Sequence, residues 1–349
     1  MAGNKNLSLY RLPAAGYQLP ATSYQLACGA AFAPLEVMLR LAFVMWIAGA
    51  AALAQEKRPT VESHNTVLSA QVMLDAAGFS AGEIDGRAGA NLSRAVAAYQ
   101  QSRGLNMSSR VDEATLERLR EEFTHQPPVV SYAITEADIA GPFQPEIPTD
   151  LVEQSKLPAL DYRNPLEALA ERFHASPALL QSLNPGQAFA RAGEQITVPN
   201  ITSSETASTS TRPAGVRIVV TKRTSALTVE DAEGRVLFFA PVTTGSQRDP
   251  LPVGRWKVTG VQQSPVFHYN PDLFWDADPT HSKAKIAPGP NNPVGVAWID
   301  ISKPHYGIHG TPEPSTVGHV QSHGCVRMTN WDVRRVAEWA KPGMLVVFQ

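Results

Sequence analysis

With 349 residues, 43% of them hydrophobic and 18% charged, the chain is ordinary globular material, long enough for two or three compact units. A formal net charge of −2 gives no electrostatic footprint for nucleic acid, and 28 prolines point to extended connectors.

Residues 41–52 form an apolar run preceded by Arg40 and closed by Ala52-Leu53-Ala54, an A-x-A cleavage pattern. The run is shorter than the roughly 20 apolar residues that a membrane span requires. It reads as an export signal cleaved after Ala54, so that the mature chain begins at Gln55. An uncleaved anchor is the alternative, and only that alternative involves a membrane. Met38-Leu39-Arg40 supplies the short basic region with which such signals begin, so Met38 is the expected start and residues 1–37 an upstream extension without structure. Cys28, after Gln25-Leu26-Ala27, has no apolar run before it and makes a poor lipidation site. The exported protein then holds one cysteine, Cys325, which cannot pair internally and reads as a reactive thiol.

Residues 60–122 read as a three-helix unit. Val67, Leu68, Gln71 and Leu74 fall at helical spacing before Gly78, and residues 82–86 form a loop. Ala95, Val96, Tyr99 and Gln100 make a second face before Gly104, and Asp112 caps a third helix carrying Leu116 and Leu119. The pattern Q-x-x-L, D-G, A-V-x-x-Y-Q, G-L and V-D-x-x-T resembles a type 1 peptidoglycan-binding domain. A helical spacer without a ligand is the alternative.

Residues 123–160 are proline-rich without sustained periodicity and read as an extended linker that packs on a neighbour in places. Over 161–200, Leu166, Leu169, Ala170 and Phe173 share one helical face. Leu179, Leu180 and Leu183 form a second short helix before Asn184-Pro185-Gly186, and residues 193–200 read as a closing strand. Helix, helix, Asn-Pro and G-x-x-I-x-V-P resemble a LysM module, a small α+β fold that binds N-acetylglucosamine-containing glycans. No opening strand is evident just before Pro165, and a structural adaptor is the alternative.

Residues 201–214, Ser/Thr-rich from 203 to 213, read as a flexible linker that few contacts should cross. From 215 to 349 the texture is β. Residues 216–220 and 227–229 alternate, 231–234 supply turn chemistry, and 236–242, 256–261, 294–301 and 344–348 continue the set. Residues 331–340 are the convincing helix, with Val333, Val336, Ala337 and Ala340 toward the sheet. The expected architecture is a mostly antiparallel β-sandwich, with the 322–328 loop beside a sheet edge.

Tyr306-Gly307-Ile308-His309-Gly310-Thr311 is followed by Ser322-His323-Gly324-Cys325-Val326-Arg327-Met328. A thiol becomes a useful nucleophile when an imidazole takes its proton or lowers its pKa. Cys325 is therefore the candidate nucleophile and His309 the candidate base. Gly310 and Gly324 lack a Cβ and would let backbone groups approach a substrate closely. The alternative is a buried structural cysteine. His305, His309, His319 and His323 beside Cys325 also raise a zinc site, but neither H-E-x-x-H nor paired C-x-x-C spacing is present. No metal or other cofactor is expected, and His305 and His319 read as surface or loop residues.

These runs resemble the L,D-transpeptidase (YkuD) family, whose signature is H-G-T, a spacer with a glycine (here Gly318), then S-H-G-C-[IV]-R-[ML]. Pro252-Val253-Gly254 and Pro288-Gly289-Pro290-Asn291-Asn292-Pro293-Val294-Gly295 extend the resemblance over roughly 215–349. It implies a peptidoglycan L,D-transpeptidase. Cys325 would attack the amide between the third residue of a tetrapeptide stem and its terminal D-alanine. D-alanine would leave, and a neighbouring stem's side-chain amine would resolve the thioester into a 3→3 cross-link. The resemblance also implies that the Gly310 carbonyl orients His309, while backbone N–H groups around His323, Gly324 and Cys325 are the natural donors to the oxyanion. Arg327 is expected either to clamp a donor carboxylate or to brace the loop through a salt bridge. Ser322 is expected either to touch substrate or to stabilise the loop. The implied partners are stem peptides and glycan strands of peptidoglycan, in the periplasm or cell envelope. Three alternatives stand beside this reading: resolution by water, as in an L,D-carboxypeptidase or endopeptidase; attachment of an outer-membrane lipoprotein through a lysine amine; and an inert wall-binding protein.

Overall fold

The computed structural model describes residues 61–201 and 213–349. The expected signal or anchor at 41–54, the extension 1–37 and nearly all of the Ser/Thr-rich linker lie outside them. Among the described residues no helix is long and apolar enough to cross a membrane.

Three helices come first: α1 (Val61–Ala76), α2 (Ala90–Ser102) and α3 (Glu113–Glu122). Leu68, Leu74, Ala95, Val96, Tyr99, Leu116 and Leu119 meet in one apolar cluster, as their helical spacing requires. Two buried amides close the loops between these helices. Gln71 Nε2 donates to Asp85 Oδ1 at 2.8 Å while its Oε1 accepts from Gly86 N at 2.8 Å. Gln100 Nε2 donates to Thr115 Oγ1 at 2.8 Å, and Asp112 caps α3 by accepting from Thr115 N. The Q, D-G and D-x-x-T positions of the motif are thus accounted for by internal hydrogen bonds.

The second front unit corrects the expectation of an extended linker over 123–160. That segment contains strand β1 (Val129–Ala133) and helices α4 (Glu136–Ala140) and α5 (Leu151–Gln154). Helices α6 (Pro165–Arg172) and α7 (Pro177–Leu183) and strand β2 (Gln195–Pro199) follow. Asn164 and Ser176 cap the two helices ahead of a proline in the first turn, the position where a missing N–H costs nothing. β1 pairs antiparallel with β2, Val130 opposite Val198 and Tyr132 opposite Ile196. The strand missing before Pro165 is therefore β1, well upstream, with α4 and α5 inserted after it.

The remaining strands are β3 (Arg217–Thr221), β4 (Ala226–Glu230), β5 (Val236–Pro241), β6 (Gly254–Gln263), β7 (Phe267–Tyr269), β8 (Ala284–Ile286), β9 (Ala297–Ile301), β10 (Gly307–His309), β11 (Val326–Arg327) and β12 (Leu345–Phe348). Eight of them form a single sheet in the order β11-β10-β9-β6-β12-β3-β4-β5, and β7 and β8 make a separate hairpin. The expected sandwich is thus one curled sheet. Its register shifts between Val258 and Gly260, and the chain leaving β5 hydrogen-bonds to the opposite edge, Thr243 exchanging N–H···O bonds of 3.0 and 2.9 Å with Arg327. Helix α8 (Asn330–Trp339) lays Val333, Val336 and Ala337 on the core beneath, with Ala340 just beyond its end.

The front units pack directly on this sheet, against the expectation of few contacts. Phe79 bridges Phe239 on edge strand β5, and Phe239 and Ala226 belong to the front apolar cluster. Arg335 of α8 forms a bidentate pair with Asp75 of α1, both contacts 3.0 Å, and Asp75 also meets His174 Nδ1 at 3.1 Å. His174 stacks on Trp331 with ring centroids 5.1 Å apart. Burial alone would push the Asp75 carboxyl up, but Arg335 and His174 outweigh it and hold it well below the usual carboxylate range. Next to it Asp332 accepts from Ser80 Oγ at 2.9 Å, and burial pushes its carboxyl up to about 7 against the opposing pull of Arg335.

Removing residues 1–200 is accordingly expected to uncover Phe239 and to strand Arg335 without its carboxylate. Breaking such a buried pair typically costs about 3–5 kcal/mol. Thermal unfolding should show the isolated β domain melting well below the full chain. An equal melting temperature would mean that the junction contributes nothing to stability.

Candidate active site

The pairing of β10 with β11 builds the site. The two short strands run parallel, Ile308 opposite Val326 and His309 opposite Arg327. Side chains alternate faces along a strand, so Ile308 and Val326, both fully buried, enter the core while His309 and Arg327 share the other face. One step back on that same face stand Gly307 and Cys325. The sequence H-G, then G-C-V-R, thus folds so that Cys325, His309 and Arg327 share one face of the sheet.

The imidazole is held on two sides. His309 Nδ1 lies 2.7 Å from the Gly310 carbonyl, an arrangement in which Nδ1–H donates and Nε2 keeps its lone pair. Its ring stacks on Trp298 of β9, centroids 5.2 Å apart and planes 16° from parallel. Burial, with the Arg327 guanidinium adding to it, drives the His309 pKa down to about 3 against the raising effect of the Gly310 carbonyl. The ring is therefore neutral at physiological pH.

Cys325 is half-buried, its Sγ 3.7 Å from the His305 carbonyl. Burial pushes the thiol up, while the Gly307 N–H and Arg327 pull the other way. With the thiol pushed up and the imidazole pushed down, both groups on this face rest in their neutral forms.

The loop before Cys325 is fastened by Ser322. Its hydroxyl donates to the Cys325 carbonyl at 2.6 Å and accepts from Gly324 N at 3.2 Å. Ser322 N and O bond in turn to Thr244 O and Ser246 N. Gly324 sits at φ +104°, and a Cβ there would lie 2.6 Å from the Tyr306 ring, so only glycine fits. Among the described residues the N–H groups of His323 and Cys325 have no hydrogen-bond acceptor. The His323 side chain points away from this array: its Nε2 is 2.8 Å from Asp276 Oδ1, and its ring contacts Phe274 and Trp275. His305 and His319 are exposed.

Arg327 is half-buried, and among the described residues it has no ion-pair partner within 4 Å and its buried Nε has no hydrogen-bond acceptor. The salt bridge expected as its alternative role is thus not formed by any described residue.

Sequence reasoning missed Trp298, Asp276 and Asn330. Trp298 faces His309 only once β9 and β10 are in register. Asp276 arrives from the loop between β7 and β8. Asn330, the first residue of α8, fills the space beside Gly310, where a Cβ would lie 2.3 Å from Asn330 Oδ1.

Residues 215–348 match the family model described as the L,D-transpeptidase catalytic domain (YkuD), and residues 63–119 match the peptidoglycan binding domain model PG_binding_1. The YkuD protein of Bacillus licheniformis is 29% identical over 183 residues, 52% of this chain and 91% of that protein. The YkuD protein of Bacillus subtilis is 28% identical over 182 residues, again 52% of this chain and 91% of the relative. Among solved structures, an L,D-transpeptidase from Mycobacterium smegmatis is similar with a TM-score of 0.32 and 19% identity, over 39% of this chain and 58% of that one. Two segments of the chain are thus similar to known domains: 215–348 to the L,D-transpeptidase catalytic domain and 63–119 to a peptidoglycan-binding domain.

Proposed function

We propose that this protein is an exported peptidoglycan L,D-transpeptidase that makes 3→3 cross-links through a thioester on Cys325. The observation that carries the reading is the placement of His309, tethered through Nδ1 to Gly310 and sharing a sheet face with Cys325. His309 Nε2 takes the thiol proton as Sγ adds to the carbonyl carbon between the third stem residue and D-alanine. The oxyanion is received by the free N–H groups of His323 and Cys325, worth about 3 kcal/mol each in comparable sites. The C–N bond breaks, His309 passes its proton to the departing D-alanine amine, and the thioester remains. The side-chain amine of a second stem then adds to the thioester, losing a proton to His309. Collapse releases the cross-link and restores the thiol.

Arg327, a cation without a protein partner among the described residues, fits a carboxylate of the donor stem. Ser322 serves the loop, its hydroxyl donating to the Cys325 carbonyl and accepting from Gly324 N. The three-helix unit and the LysM-like second unit, a strand–helix–helix–strand element, would hold the enzyme against glycan strands and raise its effective concentration at the polymer.

The test is to incubate the mature protein with a disaccharide-tetrapeptide and measure product masses. A dimer lacking one D-alanine is expected. A tripeptide without dimer would make the enzyme a hydrolase, and transfer only to a lysine amine would make it a protein-attachment enzyme.

A further inference from the structure

We infer that Glu171, a residue of the second front unit, is a positioning residue for His309: through Asn330 it fixes the Gly310 peptide whose carbonyl orients the imidazole. The inference rests on the reading of His309 as the base.

Asn330 begins α8 and is buried. Its Oδ1 accepts from Val296 N at 3.2 Å, while its Nδ2 donates to Glu171 Oε2 at 2.8 Å and to the Pro290 carbonyl at 3.0 Å. A Cβ on Gly295 or Gly310 would lie 2.1 or 2.3 Å from Oδ1, so the amide is wedged between these two glycines and the Gly310 peptide has no room to tilt toward α8. The carboxylate and the carbonyl facing Nδ2 can only accept. Turning the amide over would set its oxygen against both, so Glu171 decides which end of Asn330 meets Gly310.

Glu171 is itself held. Its Oε1 accepts from the Tyr162 hydroxyl at 2.8 Å and lies 3.6 Å from Arg334. The turn that supplies Pro290 is docked on the same front unit. Leu160 N donates to Pro288 O and Asn291 N to Leu160 O, both at 2.9 Å, and Arg163 Nη1 donates to Asn291 Oδ1 at 2.9 Å. A Cβ on Gly289 would lie 2.1 Å from the Leu160 carbonyl. The proline- and glycine-rich run at 288–295 is thus the seat on which the front unit braces the base. The front unit thereby serves the chemistry as well as the anchoring to the wall.

The experiment follows labelling of Cys325 by the carbapenem imipenem in the full-length protein, comparing Glu171→Leu with Glu171→Gln. Leucine keeps the bulk and removes the acceptor. Glutamine can turn Oε1 to Asn330 and donate its Nε2 to Tyr162. Glu171→Leu should label about tenfold more slowly at neutral pH, in the maximal rate rather than the half-saturating concentration. The deficit should shrink at alkaline pH, where the thiol ionises unaided. Glu171→Gln should stay within about twofold of the parent. Added to His309→Ala, Glu171→Leu should slow labelling no further, because both act through one group. If Glu171→Leu does not fold, Asn330→Ala is read through the same cycle. Labelling of the leucine variant at the parent rate, or deficits that multiply with that of His309→Ala, would overturn the inference while leaving the base reading intact. Labelling that survives His309→Ala unchanged would instead overturn the base reading, and this inference with it.

Discussion

Replacing Cys325 with alanine is expected to abolish both transpeptidation and covalent labelling by a carbapenem. No other described residue is a cysteine, and no hydroxyl in the loop is free to substitute, since Ser322 Oγ is already committed to the Cys325 carbonyl and Gly324 N. The alanine variant should remain folded. The loop is secured by Ser322, Thr244 and Arg327 backbone bonds, none of which involves Sγ. Loss of a nucleophile removes the covalent path altogether, so the fall should reach at least about 10⁴-fold in turnover. Measured turnover in a folded Cys325→Ala protein would exclude Cys325 as the attacking group.

His309→Ala should slow acylation by about 10²–10⁴-fold and move the optimum to higher pH. The wild-type imidazole, with its pKa brought down to about 3, stays unprotonated through the neutral range, so the acidic limb of the wild-type rate should lie far below the 6.5 of an ordinary histidine. In the variant no base is present, and the thiol, which burial pushes up, must ionise on its own. Stability carries the same signature. Between about 6.5 and about 3 the unfolded chain binds a proton at this histidine and the folded chain does not. Stability is therefore lost as pH falls through that window, with a slope of up to about 1.4 kcal/mol per pH unit from this group. His309→Ala should remove that component. Equal pH–rate profiles for variant and wild type would move the base role to another residue.

The short-range parts of the site were legible in the sequence because its chemistry is packed into two local runs. Alternation along β10 and β11 turns those runs into one face, and the glycines at 310 and 324 mark where another group comes within 2.6 Å of a hypothetical Cβ. What was not legible reaches the site through tertiary register. Trp298 lies opposite His309 only after β9 pairs with β10, and Glu171 comes from α6, in a different unit far earlier in the chain. β1 went unread for a related reason. Its Val-Val-Ser-Tyr-Ala run follows two prolines, and its partner β2 begins only at Gln195, beyond four intervening helices. The polar linker misled in another way. Composition predicts the freedom of the linker itself but not the apolar faces of the units that it joins, and Phe79 and Phe239 seal those faces together.

The most direct test of the central claim is the mass of the enzyme quenched during turnover with a tetrapeptide donor. The account predicts an adduct equal to the donor minus D-alanine, on the peptide containing Cys325 and labile to hydroxylamine as a thioester should be. Product formation with no adduct on that peptide, or an adduct on any other residue, would contradict it.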